Sequence, residues 1–173
     1  VDMLFVIYAG YGEATSTKRP DVIWPHQFEL KYTGKDLYLN NKYVNVYACS
    51  NEIDEINDTG KPHVQGIGAI CHEFSHCLGY PDLYDTGSAG RFGLGHFDLM
   101  CQGSYNGDTF RPAGYSSYEK WMAGWITPIE LSDEDKQISN MKAISDNGEA
   151  YIIYNQRNRN EYYLLENRQH IGW

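Results

Sequence analysis

The sequence predicts an α+β domain: a mixed β-sheet, a central helix bearing a metal-binding motif, and a C-terminal helix followed by a β-hairpin. Three observations lead there. Short apolar runs at 2–9, 27–33 and 43–48 read as strands between turn-rich segments. Ile67, Ile70, Phe74 and Leu78 recur at spacings of three and four, the period of a helix over 65–78. Ser116 and Glu119 form a capping-box signature for a helix running to about 124, and 149–155 with 161–167 flank a polar Asn155–Asn160 turn.

Taken in order, residues 2–9 read as a buried strand and residues 10–21 as a Gly/Ser/Thr/Pro-rich loop. Asn40-Asn41 is a turn signal between the next two strands, and 52–64 read as loop. The 65–78 helix is expected to bury the Ile67–Ile70–Phe74–Leu78 stripe and to turn His72 and His76 toward a cleft. Gly79 suits a left-handed helix end, and Pro81 prevents the helix from resuming. From Gly79 to Arg111 the chain is glycine-rich and is expected to be irregular, as the rim of a site often is. Pro128 stops the second helix. There is no internal repeat or low-complexity tract, and residues 1–173 read as one domain, with 145–173 the candidate start of a second, β-rich part.

The densest chemical signal is Cys71-His72-Glu73-Phe74-Ser75-His76-Cys77-Leu78-Gly79-Tyr80-Pro81-Asp82. On a helix, residues four apart lie about 40° apart in rotation and about 6 Å apart along the axis. His72 and His76 can therefore aim both imidazoles at one ion. Zn²⁺ takes nitrogen, sulfur and carboxylate ligands and keeps an open position when it is catalytic. Glu73, beside the first histidine, is placed to take a proton from water there. An ordinary surface helix with two histidines is the plain alternative, and the glycine, the proline and the following carboxylate weigh against it.

The third ligand separates the zinc peptidase classes. No glutamate occurs between Glu73 and Glu119, so a thermolysin-like downstream glutamate lacks an obvious donor. Metzincins place the third ligand ten residues after the first, and Asp82 stands at that position. Asp85, His96 and Asp98 are competing donors, but Asp82 alone fits the helix-turn spacing. Downstream, Met100 in Asp98-Leu99-Met100 looks like a methionine turn, an apolar floor beneath the ion. A plain core methionine is the alternative. Tyr105 is a candidate cleft residue, able to hydrogen-bond a tetrahedral intermediate or simply to pack.

At these residues the chain resembles the immune inhibitor A family of bacterial metalloproteases. The resemblance rests on the zinc motif with Pro81-Asp82-Leu83-Tyr84-Asp85, on Asp98-Leu99-Met100 and on Gly103-Ser104-Tyr105-Asn106-Gly107. It extends to Ala9-Gly10-Tyr11-Gly12-Glu13, Ile23-Trp24-Pro25-His26, Ser116-Ser117-Tyr118-Glu119-Lys120 with Gly124-Trp125, and Leu165-Glu166-Asn167-Arg168-Gln169. It implies a metzincin-like catalytic domain and a secreted or cell-surface bacterial zinc endopeptidase that acts on proteins or peptides. The cysteines at 71, 77 and 101 depart from the family pattern.

The expected mechanism is hydrolysis by metal-activated water, with Glu73 as general base and His72, His76 and Asp82 as ligands. The alternative is a catalytically silent zinc-binding or adhesion module, which a closed four-ligand site would mark. His26, Glu13 and Glu166 also fall in matching segments, and a structural role is the expectation for each.

Composition narrows the partners. Fourteen Lys and Arg against 23 Asp and Glu give a net charge of −9, which argues against nucleic-acid binding. Acidic loops also admit Ca²⁺, but there is no EF-hand spacing. The longest strongly apolar run, Met3 to Ala9, is too short to span a membrane. No signal peptide is legible, and the expectation is a catalytic fragment of a longer precursor. Of the four cysteines, Cys71 and Cys77 lie about 240° apart on the helix and cannot easily pair. A bridge from either to Cys101 is conceivable, but free thiols acting as small hydrophobes are preferred.

Overall fold

A computed structural model describes residues 3–16, 21–55, 61–87, 90–132, 136–169 and 171. The chain folds as α+β in two compact units, Val1–Ala113 and Gly114–Trp173.

The first unit is built on a mixed sheet. Strand β1 is Leu4–Tyr11, β2 is His26–Glu29, and a small hairpin follows from β3 (Leu37–Leu39) and β4 (Lys42–Val44). Strand β5, Val46–Asp54, is the spine, and β6 is His63–Val64. β1 runs parallel to β5 on one side and β2 antiparallel on the other, while β6 pairs with the far end of β5. Asn40 and Asn41 turn the β3–β4 hairpin at φ 49° and 60°, the left-handed values that asparagine tolerates and tight hairpins need.

Helix α1, Gly68–Cys77, carries the histidine motif and packs on β5, β2 and the single turn Gln102–Tyr105. Its start is fitted backbone to backbone. A Cβ on Gly68 would stand 1.8 Å from the Ser104 carbonyl oxygen, and Gly68 N–H donates to the Thr109 carbonyl at 2.8 Å. Gly68→Ala should therefore destabilise the chain by about 3 kcal/mol, the upper end of an overpacking cost. Chemical denaturation measures it, and an unchanged midpoint would refute the close approach.

At its other end α1 closes in a Schellman motif. Gly79 takes φ 95° and donates to the His76 carbonyl at 3.0 Å, while Tyr80 N–H donates to the Ser75 carbonyl at 3.2 Å. This is the left-handed end expected of Gly79, and it returns the chain across the helix end toward Asp82.

The second unit begins with α2, Ser117–Met122, capped as its sequence predicts: Glu119 N–H donates to Ser116 Oγ and Ser116 N–H to Glu119 Oε2. Strands β7 (Ile129–Glu130), β8 (Tyr151–Asn155) and β9 (Asn158–Leu165) form its sheet, with β8 and β9 as the C-terminal hairpin. Ile152 and Ala150 sit in its core beside Leu131, Ala143 and Ile144. Glu166 accepts from Ser117 N–H at 2.6 Å and pairs with Arg168, a structural role as expected.

Several sequence expectations are corrected. The 27–33 strand stops at Glu29 and continues as a 3₁₀ turn, Leu30–Thr33. The 43–48 strand is two strands, split at Asn45, and the second runs on to Asp54 through residues read as loop. Residues 56–60 of that loop lie outside the described residues. β1 is not buried throughout, since Val6 and Ile7 are exposed. The hairpin turn is tighter than Asn155–Asn160, because Asn155 already pairs with Asn158.

The largest correction concerns the face of α1. Ile67, Phe74 and Leu78 are 37%, 41% and 49% exposed, while Gly68, Glu73 and Ser75 are buried. Periodicity identifies residues that share a face but not which face turns inward. Here the small residues allow close approach, and the inward face carries the polar groups of a site. Among the described residues, no helix is long and apolar enough to cross a membrane.

Candidate metal centre

His72, His76 and Asp82 converge. Each offers one ligand atom, and the three atoms lie within 4.8 Å of one another. Asp82 Oδ1 is 3.2 Å from His72 Nε2 and 3.4 Å from His76 Nε2. The two imidazoles stand nearly perpendicular, with ring centres 4.8 Å apart.

The hydrogen bonds behind the rings decide what faces inward. His72 Nδ1 lies 2.9 Å from the Leu99 carbonyl, and His76 Nδ1 lies 2.7 Å from the Tyr80 carbonyl. A carbonyl can only accept, so each Nδ1 carries the proton. In the neutral ring each Nε2 then presents a lone pair, the orientation that a second shell imposes on ligating histidines. Asp82 Oδ1 is buried and has no hydrogen-bond partner. Three electron-pair donors thus point at one another, which is favourable only around a positive charge.

The spacing is compatible with a small divalent cation. A tetrahedral ion with bonds of about 2.0–2.1 Å holds its ligand atoms about 3.3 Å apart, and the two Asp82 distances match. Two imidazoles and one carboxylate are a zinc donor set. Ca²⁺ wants six to eight oxygens, and this cluster offers a single carboxylate. Among the described residues no other group of three His, Cys, Asp or Glu side chains converges in this way.

The competing donors lie outside the converging group. Asp85 accepts from Gly87 N–H, His96 Nδ1 is 3.1 Å from Asn106 Oδ1, and buried Asp98 accepts from Met100 N–H at 2.8 Å. All four cysteines are free thiols, so neither bridge to Cys101 forms.

Electrostatics bind the cluster together. Burial raises the Asp82 carboxyl, but the two facing histidines outweigh it and hold that group far below the ordinary carboxylate range. Burial pulls His72 and His76 down, yet the Asp82 carboxylate and the carbonyl partners leave both raised. Glu73, 8% exposed, is raised mainly by burial.

These groups open into a cleft of about 670 Å³, where His72, Glu73, His76 and Asp82 sit with Tyr84, Tyr105, Ser104 and Gln102. A further wall of its lining is formed by Ala14, Thr15, Trp24, Pro25 and His26. Tyr105 is among the lining residues. Burial and the neighbouring Asp82 raise the Tyr84 phenol to about 12, and burial with Glu73 raises Tyr105, so both stay protonated. Met100 is fully buried and follows Leu99, whose carbonyl holds His72.

Sequence reasoning missed Tyr84 as a cleft residue and missed the wall formed by Ala14, Thr15 and residues 24–26. Tyr84 was legible in principle, two residues beyond Asp82 on the same turn. The wall was not, because pairing of β1 and β2 with the distant β5 brings its segments to the site. His26 has both ring nitrogens engaged, Nδ1 with the Trp24 carbonyl at 2.7 Å and Nε2 with the Tyr47 hydroxyl at 2.8 Å. It supports the wall, in line with its structural expectation.

Comparison with known proteins places this geometry in context. Residues 1–127 match the family model described as immune inhibitor A peptidase M6, catalytic domain. The pre-pro-metalloprotease PrtV of Vibrio cholerae is 30% identical over 144 residues, covering 76% of this chain and 15% of that protein. Immune inhibitor A of Bacillus thuringiensis subsp. alesti is 25% identical over 145 residues, covering 78% of this chain and 21% of that protein. The chain therefore spans only about a fifth or less of the length of these relatives. No solved structure matches it.

Proposed function

The chain belongs to the immune inhibitor A family of M6 peptidases, and from that premise we propose that its cleft hydrolyses peptide bonds in proteins as a zinc endopeptidase. The observation that carries the proposal is the convergence of His72 Nε2, His76 Nε2 and Asp82 Oδ1 in an open cleft beside the buried Glu73.

His72, His76 and Asp82 would hold the ion. When bound, zinc supplies a Lewis acid that polarises a carbonyl and brings the pKa of water toward about 7. Glu73 takes a proton from water in the cleft and later hands it to the leaving amine. Its raised pKa suits both transfers, since a group that must accept and then release a proton works best near the ambient pH. The Leu99 and Tyr80 carbonyls keep the two imidazoles aimed. The Tyr84 and Tyr105 phenols, protonated throughout, are donors for the peptide oxygen as it gains charge. Met100, packed behind Leu99, is the apolar floor of a metzincin-like arrangement. The secreted or cell-surface location belongs to the same proposal and rests on the family resemblance.

The test is metal dependence. The zinc-loaded chain should cleave casein, lose that activity to a strong chelator, and regain it when Zn²⁺ is restored. A chain that binds zinc tightly but cleaves neither casein nor a peptide library would refute the enzymatic reading.

A further inference from the structure

Behind the cleft lies a second polar cluster that takes no part in the chemistry above. Asp54, at the end of β5, is 1% exposed. Its Oδ1 accepts from Thr15 Oγ1 at 2.6 Å and from Asn51 Nδ2 at 2.8 Å, and its Oδ2 lies 3.3 Å from Thr109 Oγ1, a hydroxyl that also reaches the Asp108 carbonyl at 2.5 Å. Asn51 Oδ1 accepts in turn from Gln65 Nε2, and Gln65 Oε1 from Ser50 Oγ. Thr15, Asn51, Gln65, Ser50 and Thr109 are all buried.

Two of the contacts of Asp54, with Thr15 and Thr109, lead toward the cleft. Thr15 lines the cleft next to Ala14. Thr109 holds the start of α1, because Gly66 N–H donates to its hydroxyl at 2.9 Å and Gly68 N–H to its carbonyl at 2.8 Å. Thr109 also bonds back to Tyr105, which lines the cleft on the α1 side. These three segments are far apart in sequence, and one buried carboxylate spans them. A buried carboxylate left without its donors is costly, so the donors must stay where the carboxylate is.

We propose that Asp54 is a positioning residue that sets the spacing between the two walls of the cleft, by holding Thr15 on one side and the Thr109 anchor of α1 on the other. The proposal rests on the cleft being the peptide-binding site. It concerns acceptor geometry rather than charge. Asp54→Asn keeps an oxygen for Thr15 and Asn51 and offers an amide N–H to the Thr109 hydroxyl, whereas Asp54→Ala removes every partner.

The experiment uses the zinc-loaded full chain and reads amide hydrogen exchange together with peptide kinetics. Asp54→Ala should speed exchange at Gly66, Gly68 and Glu55, whose N–H groups bond Thr109 and Thr15, by about tenfold. It should raise KM by about tenfold with a smaller change in kcat, zinc content unaltered. Thr15→Val, which keeps the side-chain shape, should raise KM in the same direction and speed exchange at Glu55 alone. Thr15→Ser and Asp54→Asn should restore near-normal values of both. Unchanged exchange and KM in Thr15→Val would overturn the proposal. So would activity lost in step with zinc or with folded structure, or an Asp54→Asn variant as impaired as Asp54→Ala. If the unaltered chain cleaves nothing, the peptidase reading fails, and the exchange pattern still decides the role of Asp54.

Discussion

Glu73→Ala should leave zinc bound and lower peptide hydrolysis by roughly 10²–10⁴-fold, the usual contribution of a general base. Glu73 is not one of the three converging donors, so its loss leaves the ligand set whole. What is lost is the one buried carboxylate of the cleft free to move a proton. Glu73→Gln sharpens the test, since it keeps the shape and removes only the basicity. Casein cleavage beside metal analysis of the same samples measures both halves. A Glu73→Ala chain working at the unaltered rate would remove Glu73 from the mechanism.

Asp82→Ala should weaken zinc retention by roughly 100-fold or more, since even partners of ligands are worth 10–100-fold. Metal content after mild chelation is the readout, and full retention would strike Asp82 from the ligand set. The metal-free protein offers a second, independent reading. Asp82 is the largest of the groups that lift His72 and His76 against burial, with the Leu99 and Tyr80 carbonyls and Glu73 adding to it. Removing it takes away the largest raising contribution, so both titration midpoints, followed by NMR, should fall.

The same groups set how the metal-free cluster depends on pH. The histidines are raised in the folded chain, so their contribution to stability is lost as pH rises through those raised values. Asp82 is lowered, so its contribution is lost as pH falls toward its depressed value. The cluster therefore stabilises the metal-free fold most between the two limits.

Much of the local architecture was legible in the chain. The helix around His72 and His76, its left-handed end at Gly79, the capping box of Ser116 and Glu119, and the Asn40-Asn41 turn each depend on residues within a few positions of one another. The length of β5 was not legible. Its second half, Ser50 to Asp54, is largely polar, and from residue 52 it reads as loop until the buried partners of Ser50, Asn51 and Asp54 are known. The outward stripe of α1 was misjudged for a related reason: its buried face is made of small and polar side chains, which hydrophobic patterning does not register.

Residue type and short-range spacing dictated that two imidazoles and a carboxylate could meet at the end of one helix, because a helical turn and a glycine-closed bend have nearly invariant geometry. Folding alone decided which carbonyls lock those imidazoles, that Trp24, Pro25 and Thr15 line the same cleft, and that the buried Asp54 bonds to Thr15. Those contacts join segments tens of residues apart, and no local rule of backbone geometry specifies which distant segments will pack side by side.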